Sequence, residues 1–296
     1  MYKLQVNDGV FAIHNLDWVE SGELLELFKQ IPPKTNLVVI FECRFNTVAI
    51  SEIESALALI PPSVESLLIR NCVFCHLVPL IRSIPSTVKS LHLSNSHYGE
   101  LPVSFLVEML GAIPRTITLL NLMNISLGRK RYRIDDLIRI FQAIPSSIQS
   151  LYLDGIDFNT RAPEEKIALI KSIPSTIKAM DVDWLLHSDL KIEQLSSLKN
   201  YFCRIEKIYC DGTLAQQTSE ADAKTIMSIF PNCRDIVFFN THVDRFSHNS
   251  QFDDLRRRWL NYTVDKGSLY YTLFFELLRR GGRMKPNGSY SIPSLE

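Results

Sequence analysis

Five consecutive residues of this 296-residue chain, Cys72-Val73-Phe74-Cys75-His76, have the C-x-x-C-H spacing of covalent haem attachment. That chemistry requires an export route and two cysteines with no other task. A zinc centre would need a second C-x-x-C or an H-x-x-x-H to complete a tetrahedron, and the sequence contains neither. His92 and His97 stand close together with carboxylates further on, which invites a hydrolytic reading. Such a site normally carries a nucleophile elbow, an H-E-x-x-H or a phosphate loop, and none is present. Basic clusters at Arg129-Lys130-Arg131-Tyr132-Arg133, at Arg256-Arg257-Arg258 and at Arg279-Arg280 with Arg283 and Lys285 suggest phosphate binding or nuclear import. A solvated loop or helix face, with positive charge near a helix end, accounts for them better.

Composition limits what these groups can belong to. Apolar residues make up 46% of the chain, enough for a large core, while 11 glycines and 14 prolines exclude collagen-like or low-complexity character. The 32 basic and 32 acidic residues cancel, removing any bulk electrostatic argument for nucleic acid or anionic membrane. No apolar run approaches the roughly 18 to 20 residues that span a bilayer. Met1 to Gly9 mixes charged and polar residues where a Sec-type signal would be apolar, and six cysteines in so long a chain fit a reducing compartment.

A repeat sets the architecture. Ile-Pro recurs at Ile31, Ile60, Ile84, Ile113, Ile144 and Ile173, with Phe230-Pro231 as a variant, and each is followed by the same apolar phrase. Marking the middle apolar residue of each phrase gives Val38, Leu67, Leu91, Leu120, Leu151, Met180, Ile208 and Ile236, spaced mostly by 28 or 29 residues. The phrase is that of a leucine-rich repeat, one strand per unit. Cys43, Cys72, Ser96, Thr213 and Thr241 fall where a side chain bonds the turning backbone, so Cys72 already has a structural task. At Ile125, Ile156 and Leu185 that ladder is expected to break.

Between phrases the apolar period lengthens to about 3.6, the mark of a helix. Leu106, Met109, Leu110 and Ile113 form one stripe, and Ile134, Leu137, Ile138, Phe141 and Ile144 another. Ser51 with Glu54 reads as a capping box, and Pro163 before Glu164 and Glu165 as a first turn. The expected fold class is α/β: a leucine-rich-repeat solenoid of about eight strand-helix repeats in an arc, with a concave parallel sheet and outer helices. Residues 1–245 would form the solenoid, its edge capped by an irregular strand at Leu4 and Val6 and a helix at Glu23 to Gln30. Residues 246–296 would hold two closing helices, Gln251 to Tyr262 and Leu269 to Arg280, and a loose tail.

Residues alternating out of the core line one face of such a sheet. The early repeats place Leu37, Val39 and Phe41, then Ser66, Leu68 and Arg70 there, an unusually apolar end. His92, Asn121 and Met123 follow. The later repeats add Tyr152, Asp154, Asp181, Asp183, Tyr209, Asp211, Asp235 and Phe239, so acids surround aromatic anchors. Tyrosines among exposed apolar side chains have the composition of a protein interface, and the acids would suit a basic partner.

The Ile-Pro-Ser-Thr-Ile/Val-Lys-x-Leu-x-Leu phrase, as in Ile84 to Leu93 and Ile173 to Val182, resembles that of leucine-rich-repeat effectors from Legionella-type intracellular bacteria, over about Leu24 to Val243. The resemblance implies residence in the bacterial cytoplasm, delivery into the host cytoplasm by type IV secretion, and a non-enzymatic role in virulence: binding, and restraining, a co-delivered effector. The alternative it leaves open is an adaptor or modulator of a host protein, such as a GTPase regulator with Arg44 as its finger or a ubiquitin-pathway adaptor. Ubiquitin ligases built on shorter repeats append a large catalytic domain, which the residues after Val243 are too few to form. The expected partner is a protein, with no nucleic acid, no membrane insertion, no cofactor and no metal, and the unbound chain is expected to be a monomer. Metal analysis and the visible spectrum of purified protein test the haem and zinc readings. The expected result is no stoichiometric metal and no Soret band, and either would overturn the ladder assignment of Cys72.

Overall fold

The structure is a computed structural model. It describes residues 3–7, 9–14, 22–43, 48–70, 72, 77–93, 101–123, 125, 127, 132–153, 161–182, 190–211, 228–233, 235–239, 283–284 and 290–291. The chain forms two compact units, one of residues 1–160 with 172–176, the other of 161–171 with 177–296. The expected boundary at 245 falls outside the described residues.

In the first unit, β1 (Lys3–Asn7) turns at Gly9 into β2 (Val10–His14), to which it is antiparallel. Gly9 has a φ of 83°, and a Cβ there would sit 2.9 Å from Asn36 Oδ1, so the turn requires glycine. Parallel strands follow: β3 (Leu37–Phe41), β4 (Ser66–Arg70), β5 (Ser90–His92), β6 (Leu119–Asn121) and β7 (Ser150–Tyr152). Register places Phe11 beside Val38, Val38 beside Leu67, Leu67 beside Leu91, Leu91 beside Leu120 and Leu120 beside Leu151. These six side chains are completely shielded from water.

The helices α1 (Glu23–Phe28), α2 (Ile50–Ala58), α3 (Leu77–Arg82), α4 (Val103–Gly111) and α5 (Ile134–Gln142) alternate with these strands and pack side by side. Ile40 of β3, Leu24 and Phe28 of α1, Ile53, Ala56 and Leu57 of α2 and Leu80 of α3 line one small cavity in this layer. The Ile-Pro phrase ends each helix and starts a turn. The carbonyls of Pro32, Pro61, Pro85, Pro114 and Pro145 accept the amide hydrogen three residues on at 3.0–3.1 Å. Two details differ from the sequence expectation. The Ser51–Glu54 capping box does not form, because α2 begins at Ile50 with Ala49 as its cap and Ser51 already lies in the first turn. The front strand is a full hairpin, whose second strand β2 joins the parallel series.

The second unit contains α6 (Pro163–Ser172), which opens on Pro163 with Glu164 and Glu165 in its first turn as expected. Its strands β8 (Ala179–Asp181), β9 (Lys207–Asp211) and β10 (Asp235–Phe239) are parallel, with short helices Ile192–Ser196 and Lys199–Phe202 between β8 and β9. The segment expected to be a loose tail supplies β11 (Arg283–Met284) and β12 (Tyr290–Ser291), and β12 pairs antiparallel with Asp235 and Ile236 of β10. The two closing helices expected over Gln251 to Arg280 lie outside the described residues. Among the described residues no helix is long and apolar enough to cross a membrane.

Strand, helix and proline turn in the repeats of the first unit, with the strands in parallel register, make this an α/β leucine-rich-repeat solenoid. Since Leu120 and Leu151 are fully enclosed, Leu120→Ala or Leu151→Ala should cost roughly 2 to 5 kcal/mol. Urea unfolding measures it, and a wild-type midpoint in both variants would refute the stacking.

Candidate partner-binding face

Each strand of the first unit has a second face, turned away from the helices. On β2, β3 and β4 it holds an apolar cluster in which Ala12, Val39 and Leu68 are buried and Val10, Leu37 and Phe41 pack around them half-exposed. Among the described residues, only strand residues contribute to it. The cluster follows from register, since Ala12 stands beside Val39 and Val39 beside Leu68. At its edge the Arg70 guanidinium lies 5.3 Å from the Phe41 ring centre, a cation–π contact. His14 meets the same ring edge-on at 5.6 Å and 71°.

The face becomes polar at β5 to β7. The Asn121 side-chain oxygen accepts the Met123 amide hydrogen at 2.9 Å, which fixes the orientation of that amide. Its nitrogen therefore donates to His92 Nδ1, 3.2 Å away, and the His92 ring carries its hydrogen on Nε2. This relay occupies the imidazole in positioning. Tyr152, in register with Asn121, is half-buried, and Met123 is buried at the end of its strand.

Behind this face, Cys43 and Cys72 occupy the ladder assigned from the sequence. Cys43 Sγ lies 3.3 Å from the Phe41 carbonyl oxygen, and Cys72 Sγ lies 3.2 Å from that of Arg70 and 3.4 Å from that of Ile40. Burial, and then the neighbouring Cys43, push the Cys72 thiol well above its ordinary value, so it stays protonated. At the predicted break, Ile125 and Leu127 are buried and apolar. The basic segment at 129–133 is anchored by Tyr132, which is buried and donates its hydroxyl to the Leu101 carbonyl at 2.6 Å, while residues 129–131 lie outside the described residues. Among the described residues no cluster of His, Cys, Asp and Glu has the form of a metal site.

The acidic strip fares differently. Asp181 was expected on the open face as an accessible charge, yet it is entirely shielded from water in the second unit, next to Ala179 at 6% exposure. Both faces of β8 are closed, with half-buried Tyr209 as the register partner of Asp181, so Asp181 cannot serve as a rim charge. Tyr209 lies under the Lys207 ammonium, 5.0 Å from its ring centre. The backbones of Asp211, Asp235 and Phe239 lie in β9 and β10. Asp154 and Asp183 lie outside the described residues. What the sequence reading missed is the part played by β2: Val10, Ala12 and His14 complete the apolar end, and their signal was the alternation of Phe11 and Ile13 after Gly9.

No protein-family model matches the chain, and no curated protein does. Among solved structures it is similar to the leucine-rich repeat-containing protein LegL7 from Legionella pneumophila, at 22% identity over 78% of this chain and 91% of that one, with a TM-score of 0.49. It is also similar to a chain in the yeast Rad7 and Elc1 complex, at 12% identity over 75% of this chain and 67% of that one, with a TM-score of 0.34. Likeness this distant assigns neither function nor partner.

The burial of Asp181 generates its own test. Asp181→Lys would force an ammonium into an enclosed site and should unfold the protein or lower its urea midpoint strongly, by about 3 kcal/mol or more. An unchanged midpoint would show that the site is open after all.

Proposed function

We propose that this chain is a non-enzymatic binding protein that grips another protein with the outward face of its repeat strands and regulates it by occupying its surface. The observation that supports this reading is the outward face of the first unit, where the apolar cluster on β2 to β4 includes half-exposed Phe41 and half-buried Tyr152 stands further along on β7. Such side chains on a rigid sheet are the anchors that dominate protein interfaces. The Ile-Pro-Ser-Thr phrase supports the narrower proposal that the chain is an effector of an intracellular bacterium, delivered to the host cytoplasm, with a co-delivered effector as the protein it restrains. In the second unit, Tyr209, Asp211, Asp235 and Phe239 remain proposed contact residues.

Affinity capture from infected-cell lysate, followed by an activity assay on the captured protein with and without this chain, tests the reading. Phe41→Ala combined with Tyr152→Ala should weaken capture by about 2 kcal/mol or more while leaving the fold intact. Undiminished capture by the double variant, or a partner whose activity ignores the chain, would refute it.

A further inference from the structure

We infer that a second copy of this chain pairs with the outer edge of β1, antiparallel and about a two-fold axis at Gln5; this goes beyond the binding reading above and reverses the monomer expected from the sequence. Among the described residues β1 has one neighbour, β2, and ends the sheet. The direction of its remaining backbone groups follows from a bond on the far side of β2. The Leu37 amide donates to the Gly9 carbonyl, and backbone groups alternate in direction along a strand, so Phe11 and Ile13 also turn theirs toward β3, while Val10, Ala12 and His14 turn theirs toward β1. Register sets Asn7, Gln5 and Lys3 opposite these three. Leu4 and Val6 are left with two amides and two carbonyls aimed away from the sheet.

Natural edges are guarded by proline, a bulge, an inward-pointing charge or extreme shortness. The strand β1 makes five consecutive pairs with β2 without a bulge, contains no proline, and has its one charged residue, Lys3, at its end. Its apolar residues are not covered either. Val6 is the register partner of the fully shielded Phe11, yet it is 54% exposed, more than any other large apolar side chain among the described residues. An axis at Gln5 answers both features. It sets Leu4 of each copy opposite Val6 of the other, and these become hydrogen-bonded pairs that exchange two bonds each, so all four outward groups of each copy are satisfied. Opposed residues share a face of the sheet, so Leu4 of one copy covers Val6 of the other. Lys3 stands opposite Asn7, and the two Lys3 positions lie roughly 14 Å apart along the strands, beyond the Debye length of about 8 Å at physiological salt. Since β2 is one strand from the axis, the paired sheet carries both copies of the apolar cluster on β2 to β4.

Sedimentation equilibrium of the full chain over a concentration series tests this, with Val6→Pro, Val6→Lys and Gln5→Cys as variants and thermal melts to follow their folding. Proline fits an edge position whose amide points away from the sheet, and at Val6 it removes two of the four bonds between copies. The expected result is a reversible dimer of the wild type, with a dissociation constant raised about tenfold or more in Val6→Pro and raised also in Val6→Lys. The two Gln5 residues form a non-hydrogen-bonded pair with Cα atoms about 4.5 Å apart, so Gln5→Cys should cross-link two copies under mild oxidation, the link mapped to position 5 by peptide mass spectrometry. A chain that stays monomeric at every concentration, a dimer indifferent to both Val6 variants, or no cross-link at position 5 overturns the inference. Should a Val6 variant fail to fold, the other variant and the cross-link decide.

Discussion

The structure depends on one repeated backbone contact. The carbonyl two residues before each fully buried strand residue accepts two consecutive amide hydrogens from the start of the next strand. Gly9 accepts from Asn36 and Leu37, Asn36 from Glu65 and Ser66, Glu65 from Lys89 and Ser90, Lys89 from Thr118 and Leu119, and Thr118 from Gln149 and Ser150, all at 2.8–3.1 Å. Lys178 does the same for Glu206 and Lys207 in the second unit. The stitch fixes the register of each strand against the next. A slip of one residue would exchange the two faces of a strand, sending Val38 or Leu67 to solvent and Leu37 or Ser66 to the core. Core and outward face are thus two outcomes of one alignment.

This contact explains what was legible in the sequence. The stitching residues Gly9, Asn36, Glu65, Lys89 and Thr118 share no side-chain chemistry, since only their backbones act. The repeat was visible instead through what stitching permits, the Ile-Pro turn and the buried alternation that follows it. Where those two signals separate, sequence reading fails. The strand β2 has the alternation of Phe11 and Ile13 but no preceding Ile-Pro, and its place in the parallel series was missed. The strands β11 and β12 span two residues each, too short for any period to show. Ser51 and Glu54 have the right types for a capping box, but the helix starts two residues too early to use them.

The candidate face shows a similar division. Alternation correctly says which side of a strand a residue occupies, and Leu37, Val39, Phe41, Leu68 and Arg70 were all assigned to the outward side. It says nothing about whether that side is open. Asp181 follows the same alternation and is sealed, because accessibility depends on what the neighbouring strands carry. The Arg70–Phe41 pair is also invisible along the chain, since it exists only when β3 and β4 align and place the two residues side by side.

That pair is held from behind as well as in front. The Phe41 carbonyl lies 3.3 Å from Cys43 Sγ and the Arg70 carbonyl 3.2 Å from Cys72 Sγ, so the backbones of both residues are tethered by buried thiols on the core side. A thiol suits this place: it donates weakly to a carbonyl and otherwise packs as a small apolar group, so it adds little desolvation cost. In the β6 repeat, where the ladder position is the apolar Ile125, the turn is closed from the outward side instead, by the Asn121 side chain accepting from Met123. The same asparagine then orients His92. The repeats that carry cysteines there leave the outward side to apolar and cationic groups, and the β6 repeat, with Ile125 in the ladder position, puts a polar side chain there. The change of the face from apolar at β2 to β4 to polar at β5 and β6 is written partly in the interior, by which side of the strand closes the turn.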